Sequence, residues 1–158
     1  MKAYLELLDS IMKRGRTKDA HNGETKSLFG QQIRVDLTRG FPLLTTKLVR
    51  PRAVFGELIW FLSGSTDEAD LKAIMGKSPE ENTIWSDDLN KPEWQVKIPR
   101  GSSSLGRIYG EQWRGFRTFN GNDPYTVDQI DTLEKTLASP KSFYSRRNIV
   151  TAWNPGDM

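Results

Sequence analysis

The chain has 158 residues, of which 36% are hydrophobic and 27% are charged. This length fits one domain with one core, and the five tryptophans and seven phenylalanines argue against disorder. No apolar run approaches the ~20 residues of a membrane span, and the N-terminus lacks the apolar run of a secretion signal, so we expect a cytoplasmic protein. The net charge of +3 does not indicate nucleic-acid binding, which clustered lysines and arginines usually mark, and a small anion is the expected partner.

Cysteine is missing from the sequence, and His21 is its only histidine. Disulfides, thiolate metal sites and a cysteine nucleophile within these residues are therefore excluded. A single histidine also cannot form a histidine metal cluster, so we expect no metal cofactor.

The first half of the chain contains two helical patterns and one alternating pattern. Apolar residues at helical spacing predict a first helix over residues 4–12 that stops at Gly15. The polar residues 17–25 predict a loop, and the alternation of Ile33, Val35 and Leu37 predicts a half-buried strand. Pro51 suits the first turn of a helix that runs to Gly64.

Glu57 is the only charged residue between Ala53 and Leu62 in this second helix. The residues one turn away on either side are apolar, so the carboxyl group must share an apolar face or line a cavity. A carboxyl group placed in this way is suited to proton transfer. The alternative is a structural glutamate that one buried hydrogen bond satisfies, and the sequence leaves both interpretations open.

The second half of the chain combines a polar stretch with two more helical patterns. A capping sequence at residues 65–68 predicts a short helix that ends near Gly76. The polar, proline-containing residues 86–104 predict a surface insertion, and order is expected to resume over residues 105–114. A last helical stripe is predicted from Val127 to Leu137.

Two adjacent arginines, Arg146 and Arg147, lead into an apolar run with β-branched residues that ends at Asn154. The pattern predicts a buried strand with a cationic entrance. Guanidinium groups present forked donors that suit phosphate oxygens, so a phosphate monoester is the expected ligand. The alternative is that the two side chains point to opposite faces and form ordinary surface ion pairs.

Seven collinear segments resemble the thymidylate synthase family. They are Phe29-Gly30, Gly40–Lys47, Glu57–Leu62, Thr83–Trp85, Tyr109–Arg114, Val127–Ile130 and Ser145–Arg147 continuing through Trp153-Asn154. The resemblance implies an α/β (α+β) fold with helices packed on a large mixed sheet, of which residues 1–158 are the N-terminal part of one domain. It also implies a symmetric dimer and the reductive methylation of dUMP to dTMP with 5,10-methylenetetrahydrofolate as co-substrate.

The resemblance also implies roles for single residues. Arg146 and Arg147 match the arginines that reach across the dimer to the nucleotide phosphate in the partner subunit. Glu57 matches the glutamate that orders water and assists proton transfers, and Trp85 and Tyr109 match cleft positions near the folate and the catalytic centre. Arg50 stands where many members have a folate-contacting histidine. The remaining motif residues Gln112, Trp113 and Arg114 are expected to be structural.

Two differences from the family pattern affect its ligands. Ala20 stands where the family has a loop arginine that grips the phosphate, so this contact is lost unless His21, Lys18 or Lys26 substitutes. The sequence also ends before the family's Pro-Cys-His segment, whose thiolate attacks the pyrimidine.

We therefore expect the N-terminal portion of such an enzyme, inactive alone, either truncated or completed by a separate C-terminal chain. Alternatives are a pyrimidine-nucleotide hydroxymethylase of the same fold and a non-catalytic module that assembles with a full-length relative. Ending on an apolar strand would leave an exposed edge, so we also expect Ile149, Val150, Ala152 and Trp153 to lie at an association surface or to be poorly ordered.

Overall fold

The computed structural model describes residues 2–20, 23–95, 98 and 101–157. Its internal contacts divide the chain into two compact units, Met1–Arg50 and Pro51–Met158. Among the described residues, no helix combines the length and the apolar character needed to cross a membrane.

The first unit contains one helix and one hairpin. Helix α1 (Lys2–Arg14) confirms the predicted first helix. The segment predicted as a loop is instead an antiparallel hairpin of β1 (Arg16–Ala20) and β2 (Gly23–Ser27). The hairpin is tied to the helix because the Lys26 Nζ donates a hydrogen bond of 3.0 Å to the Met12 carbonyl.

The strand predicted from Ile33, Val35 and Leu37 is not formed. Residues 31–36 have no regular structure, and a single 3₁₀ turn (Leu37–Arg39) follows them. A strand must pair its backbone groups with a neighbour, and in the described part of the chain no segment pairs with this one. The alternating pattern was therefore a wrong indicator here, and the three side chains remain 38–71% exposed.

The second unit contains six helices, one hairpin and a 3₁₀ turn within its described residues. They are α2 (Pro51–Ser63), α3 (Glu68–Met75), α4 (Ser86–Leu89), α5 (Pro92–Gln95), α6 (Tyr109–Arg114), β3 (Phe116–Asn120), β4 (Asp123–Val127), α7 (Gln129–Ala138) and Pro155–Asp157. The predicted helices α2 and α3 are confirmed. Asp67 caps α3 by accepting a hydrogen bond of 2.8 Å from the Ala69 N–H, and Gly76 ends it in the left-handed conformation.

The last predicted helix begins two residues later than expected. Asp128 accepts a hydrogen bond of 2.9 Å from the Asp131 N–H and caps α7, which therefore starts at Gln129. Val127, the first residue of the predicted stripe, ends strand β4 instead. The hairpin formed by β3 and β4 was not predicted.

The core of the second unit is built from Trp60, Leu71 and Leu105, which are almost completely buried. Helix α6 reaches this core at Gly110, where an added Cβ would lie 2.9 Å from the Phe61 carbonyl oxygen. Only glycine permits this approach without a shift of backbone, so the residue type at position 110 fixes the spacing between α2 and α6.

Residues 86–104, predicted as a surface insertion, contribute to the interior as well as to the surface. The segment carries α4 and α5 and buries the side chains of Ser86 and Ile98. Its Ser103 carbonyl accepts a hydrogen bond of 3.0 Å from the Glu68 N–H at the start of α3. Its status as an insertion relative to the family stays a prediction.

The sheets are smaller than expected. Within the described residues, strands form two separate two-stranded antiparallel sheets and no mixed sheet, although helices with small sheets agree with the α+β class. The buried strand predicted after the arginine pair is also wrong, because residues 148–154 have no regular structure. Ile149 and Trp153 are 67% and 77% exposed, so this apolar run lacks the neighbouring strand that would bury it.

Candidate active site

Three of the predicted site residues meet at one place. Glu57 lies on α2, Trp85 immediately precedes α4, and Tyr109 is the first residue of α6. The Trp85 indole Nε1 donates a hydrogen bond of 2.7 Å to the Glu57 Oε1, and the centroid of the Trp85 ring lies 6.0 Å from that of Tyr109. These contacts join three separate segments into one cluster, called the Glu57 cluster below.

Phe61 lies at the centre of the aromatic part of the Glu57 cluster. Its ring centroid is 4.9 Å from that of Tyr109 and 6.2 Å from that of Trp85. The ring of Trp60 packs 5.3 Å from Phe61 on the side of the core. Because Trp60 is fully buried and Tyr109 is 46% exposed, the aromatic side chains extend from the core to an open surface.

The surroundings of Glu57 leave part of its carboxylate unused. The side chain is half-buried, and its Oε1 accepts the indole N–H. In the part of the chain that the structure describes, its Oε2 accepts no hydrogen bond. The first oxygen has the partner that a purely structural glutamate requires, while the second is available to a water molecule or a ligand.

A second carboxylate, Glu68, anchors the turn that carries Trp85. It is only 5% exposed and accepts hydrogen bonds from the Ser86 hydroxyl and, at 2.6 Å, from the Thr83 hydroxyl. The Lys72 Nζ lies 3.4 Å from its other oxygen. Burial raises the pKa of Glu68, but the hydrogen bonds from Ser86 and Thr83 and the charge of Lys72 outweigh it and lower the pKa.

The sequence reasoning missed Glu68 because the residue was interpreted only as part of a capping sequence. Asp67 performs the capping instead. One signal could have identified Glu68: it stands three positions before the buried Leu71, so both side chains lie on the same face of α3.

Arg146 and Arg147 lie in a turn and both are exposed. Neither guanidinium forms an ion pair with a described residue, so the alternative of ordinary surface ion pairs finds no support there. No hydrogen bond, ion pair or ring contact among the described residues joins either arginine to the Glu57 cluster. The structure therefore presents two free cationic groups on the same unit as that cluster.

The segment that follows the arginines is held by the side-chain amide of Gln129. Its Nε2 donates a hydrogen bond of 2.8 Å to the Thr151 carbonyl, and its Oε1 accepts one of 3.0 Å from the Thr151 N–H. The same Nε2 donates to the carbonyl of Gln112, a residue that is 2% exposed. The amide thus pairs with the backbone at one residue, as a neighbouring strand would.

The remaining predicted binding residues belong to the first unit. Arg50 is exposed and directly precedes the second unit, and Ala20 is exposed at the end of β1. Of the possible substitutes for the lost arginine, Lys18 and Lys26 lie on the hairpin, whereas His21 falls outside the described residues. Among the residues that the structure describes, no group of three or more His, Asp or Glu side chains could hold a metal ion.

A half-buried carboxylate beside exposed aromatic rings combines apolar surface with a polar group, as ligand sites in proteins commonly do. Comparison with known proteins identifies the class: a family model described as thymidylate synthase matches residues 2–158. The chain belongs to the thymidylate synthase family. The resemblance seen in seven segments of the sequence is thereby confirmed.

The sequence and the crystal structure of a relative from phage T4 show how much of such a protein is present. The thymidylate synthase of Enterobacteria phage T4 is 40% identical over 160 residues, which cover 100% of this chain and 52% of the phage protein. The crystal structure of thymidylate synthase from T4 phage superposes with a TM-score of 0.79 at 37% identity, covering 99% of this chain and 51% of that chain. The α+β fold of this family is thus confirmed, and the chain spans about half the length of its relatives.

The Gln129 amide provides a test of how the arginine segment is held. Replacing Gln129 with leucine removes the hydrogen bonds to Thr151, so the segment should open more often and trypsin should cleave after Arg146 and Arg147 several times faster. Limited proteolysis followed by mass spectrometry measures this rate. Glu134→Ala, at an exposed position of the same helix, is the matched control and should leave it unchanged. Equal cleavage of the Gln129→Leu variant and the unmodified chain would contradict the role given to the amide.

Proposed function

We propose that the protein to which these residues belong methylates dUMP to dTMP with 5,10-methylenetetrahydrofolate, and that this chain supplies the half of the catalytic apparatus containing the Glu57 cluster. The observation that carries the proposal is the hydrogen bond of 2.7 Å from Trp85 to Glu57, which leaves the other carboxylate oxygen open in a cluster that also contains the exposed Tyr109. Family membership supplies the reaction, and the cluster supplies residues suited to it.

Glu57 is proposed to order a water molecule and to move protons at the pyrimidine. The indole N–H of Trp85 fixes the orientation of the carboxylate through Oε1, so that Oε2 is presented in one direction. The rings of Trp85 and Tyr109 offer apolar surface that suits the planar ring of a folate. The co-substrate supplies the one-carbon unit and the hydride.

The exposed arginines are proposed to bind phosphate. Arg146 and Arg147 would reach the nucleotide phosphate in the partner subunit of a homodimer. Their exposure and their lack of carboxylate partners among the described residues support this role. Arg50 is proposed to attract the anionic folate, because it keeps a positive charge at a position that matches a folate contact.

The nucleophile must come from elsewhere, since the 158 residues contain no cysteine. Attack by a thiolate at C6 of the pyrimidine makes C5 nucleophilic, and C5 then loses its proton after it has bonded to the one-carbon unit. We therefore propose that activity requires further residues, either in a longer chain or in a separate complementing chain.

Release of tritium from dUMP labelled at C5 tests the proposed reaction. The 158-residue chain alone should release none, and co-expression with the C-terminal half of the phage T4 relative should restore release, because the thiol is then present. Mass spectrometry of the product separates dTMP from a hydroxymethylated nucleotide, which would indicate the hydroxymethylase alternative. An assembled complex that binds dUMP and releases no tritium would contradict the proposed function, and turnover by the chain alone would contradict the need for an external thiol.

The phosphate-binding role of the arginines has a separate test. In the completed enzyme, replacing both Arg146 and Arg147 with alanine should weaken the binding of dUMP about tenfold or more, because a hydrogen bond to a charged group contributes about 1.5–3 kcal/mol. Calorimetry should show little change for deoxyuridine, which lacks the phosphate. Lys141→Ala is the matched control, since it removes a nearby exposed cation. Equal losses for nucleotide and nucleoside would show that the arginines act on folding rather than on phosphate.

A further inference from the structure

We propose that Glu68 is a positioning residue for this reaction: it fixes the turn that carries Trp85 and thereby the orientation of the Glu57 carboxylate. The inference rests on the proposed function, because it concerns the same carboxylate. Glu68 lies outside the Glu57 cluster, and no hydrogen bond or ion pair among the described residues joins it to Glu57, Trp85 or Tyr109. The hydrogen bonds that lead from its carboxylate to the cluster run through the turn formed by residues 83–86.

Glu68 acts on this turn through two hydroxyl groups. The Ser86 hydroxyl oxygen accepts a hydrogen bond of 2.9 Å from the Thr83 N–H, and the Thr83 hydroxyl oxygen accepts one of 3.1 Å from the Trp85 N–H. Both hydroxyl groups donate their own protons to Glu68 Oε1. A hydroxyl group rotates freely unless an acceptor fixes its proton, so the carboxylate holds both oxygens with their lone pairs towards the backbone.

This arrangement exceeds what the stability of α3 requires. The helix is already capped by Asp67, which accepts the Ala69 N–H. A buried carboxylate is costly unless it has charged and hydrogen-bonding partners, and Glu68 has Lys72, Thr83 and Ser86. Two of these three partners lie in the turn rather than in the helix. The geometry thus directs the carboxylate towards the segment that carries Trp85.

The turn formed by residues 83–86 also determines the position of the Trp85 indole. The backbone N–H of Trp85 donates a hydrogen bond to the Thr83 hydroxyl oxygen, and the side chain of the next residue, Ser86, is buried. The indole of Trp85 then reaches Glu57 Oε1 at 2.7 Å. A tilt of the turn would lengthen this hydrogen bond and release the carboxylate to rotate. A misplacement of about 1 Å in catalytic groups can lower a rate about 100-fold. Glu68 therefore controls the orientation of Glu57 Oε2 without touching a substrate.

The first measurement uses the indole N–H of Trp85 in the 158-residue chain. Its resonance in a nitrogen-15 spectrum is assigned by its loss in a Trp85→Phe variant, and its hydrogen exchange is compared with that of the Trp60 indole, which is fully buried and reports opening of the core. Glu68→Gln should accelerate exchange at Trp85 at least about tenfold relative to Trp60. Asp70→Asn is the matched control, because Asp70 is an exposed carboxylate of the same helix bound to Ser65, and it should change neither rate.

The second measurement uses the completed enzyme. Glu68→Gln should lower kcat about tenfold and leave KM for dUMP within about twofold, because the variant disturbs an oriented group rather than the binding of the nucleotide. Thr83→Val keeps the shape of the side chain and removes one of the two hydroxyl groups that link Glu68 to the turn, so it should lower kcat to a similar extent. The variant that carries both Glu68→Gln and Thr83→Val should then lower kcat no further than the stronger of the two single variants, since both changes break the same series of hydrogen bonds.

Each outcome decides for or against the proposal. Unchanged exchange at Trp85 and unchanged kcat in Glu68→Gln, with only a lower Tm, would show a purely structural role and overturn it. If Glu68→Gln does not fold, the exchange at Trp85 and the kcat of the Thr83→Val variant decide in the same way. Failure of the unmodified enzyme to release tritium would contradict the proposed function, whereas the exchange at Trp85 tests the positioning independently of activity.

Discussion

The packing of Trp60 at the meeting point of α2, α3 and the segment before α6 is the constraint on which the candidate site depends. Trp60 is fully buried with Leu71 and Leu105, and its ring contacts both Phe61 and Trp85. Glu57 lies almost one turn before Trp60 on the same helix, so burying the indole fixes where the carboxylate emerges. Gly110 then allows α6 to approach closely enough for Tyr109 to complete the cluster. Core and site are therefore parts of one arrangement.

The sequence predicted the elements whose signals are local. The helix α2 has a proline at its first position, and α3 has Asp67 and Gly76 at its two ends. The segments around Ile33 and Ile149 have the pattern of strands, but a strand depends on a distant partner that no local pattern reveals. The hairpin of β3 and β4 was missed, although Gly121-Asn122, the two residues of its turn, are a hairpin signal and Gly121 has a φ of 62°.

The site was predicted in part for a similar reason. A lone carboxylate among apolar neighbours marked Glu57, and the resemblance to a family marked Trp85 and Tyr109. Two sets of hydrogen bonds join residues 15 to 22 positions apart. They are those of the Gln129 amide with the Thr151 backbone and those of Glu68 with Thr83 and Ser86. Side-chain contacts over such separations depend on how the elements pack, and spacing in the sequence does not contain that information.

Two parts of the second unit differ in how they are held in place. The Glu57 cluster rests on its own buried core, whereas the apolar run after the arginines is bound mainly through Gln129 and exposes Ile149 and Trp153. The residues of the Glu57 cluster thus form the carboxylate–aromatic site without help from a strand at positions 148–153. Hydrogen exchange of the 158-residue chain, followed by mass spectrometry, tests it directly. We expect strong protection in α2 and α6 with fast exchange at 148–153. Equally slow exchange in all three segments, or equally fast exchange in all three, would contradict an independently formed site.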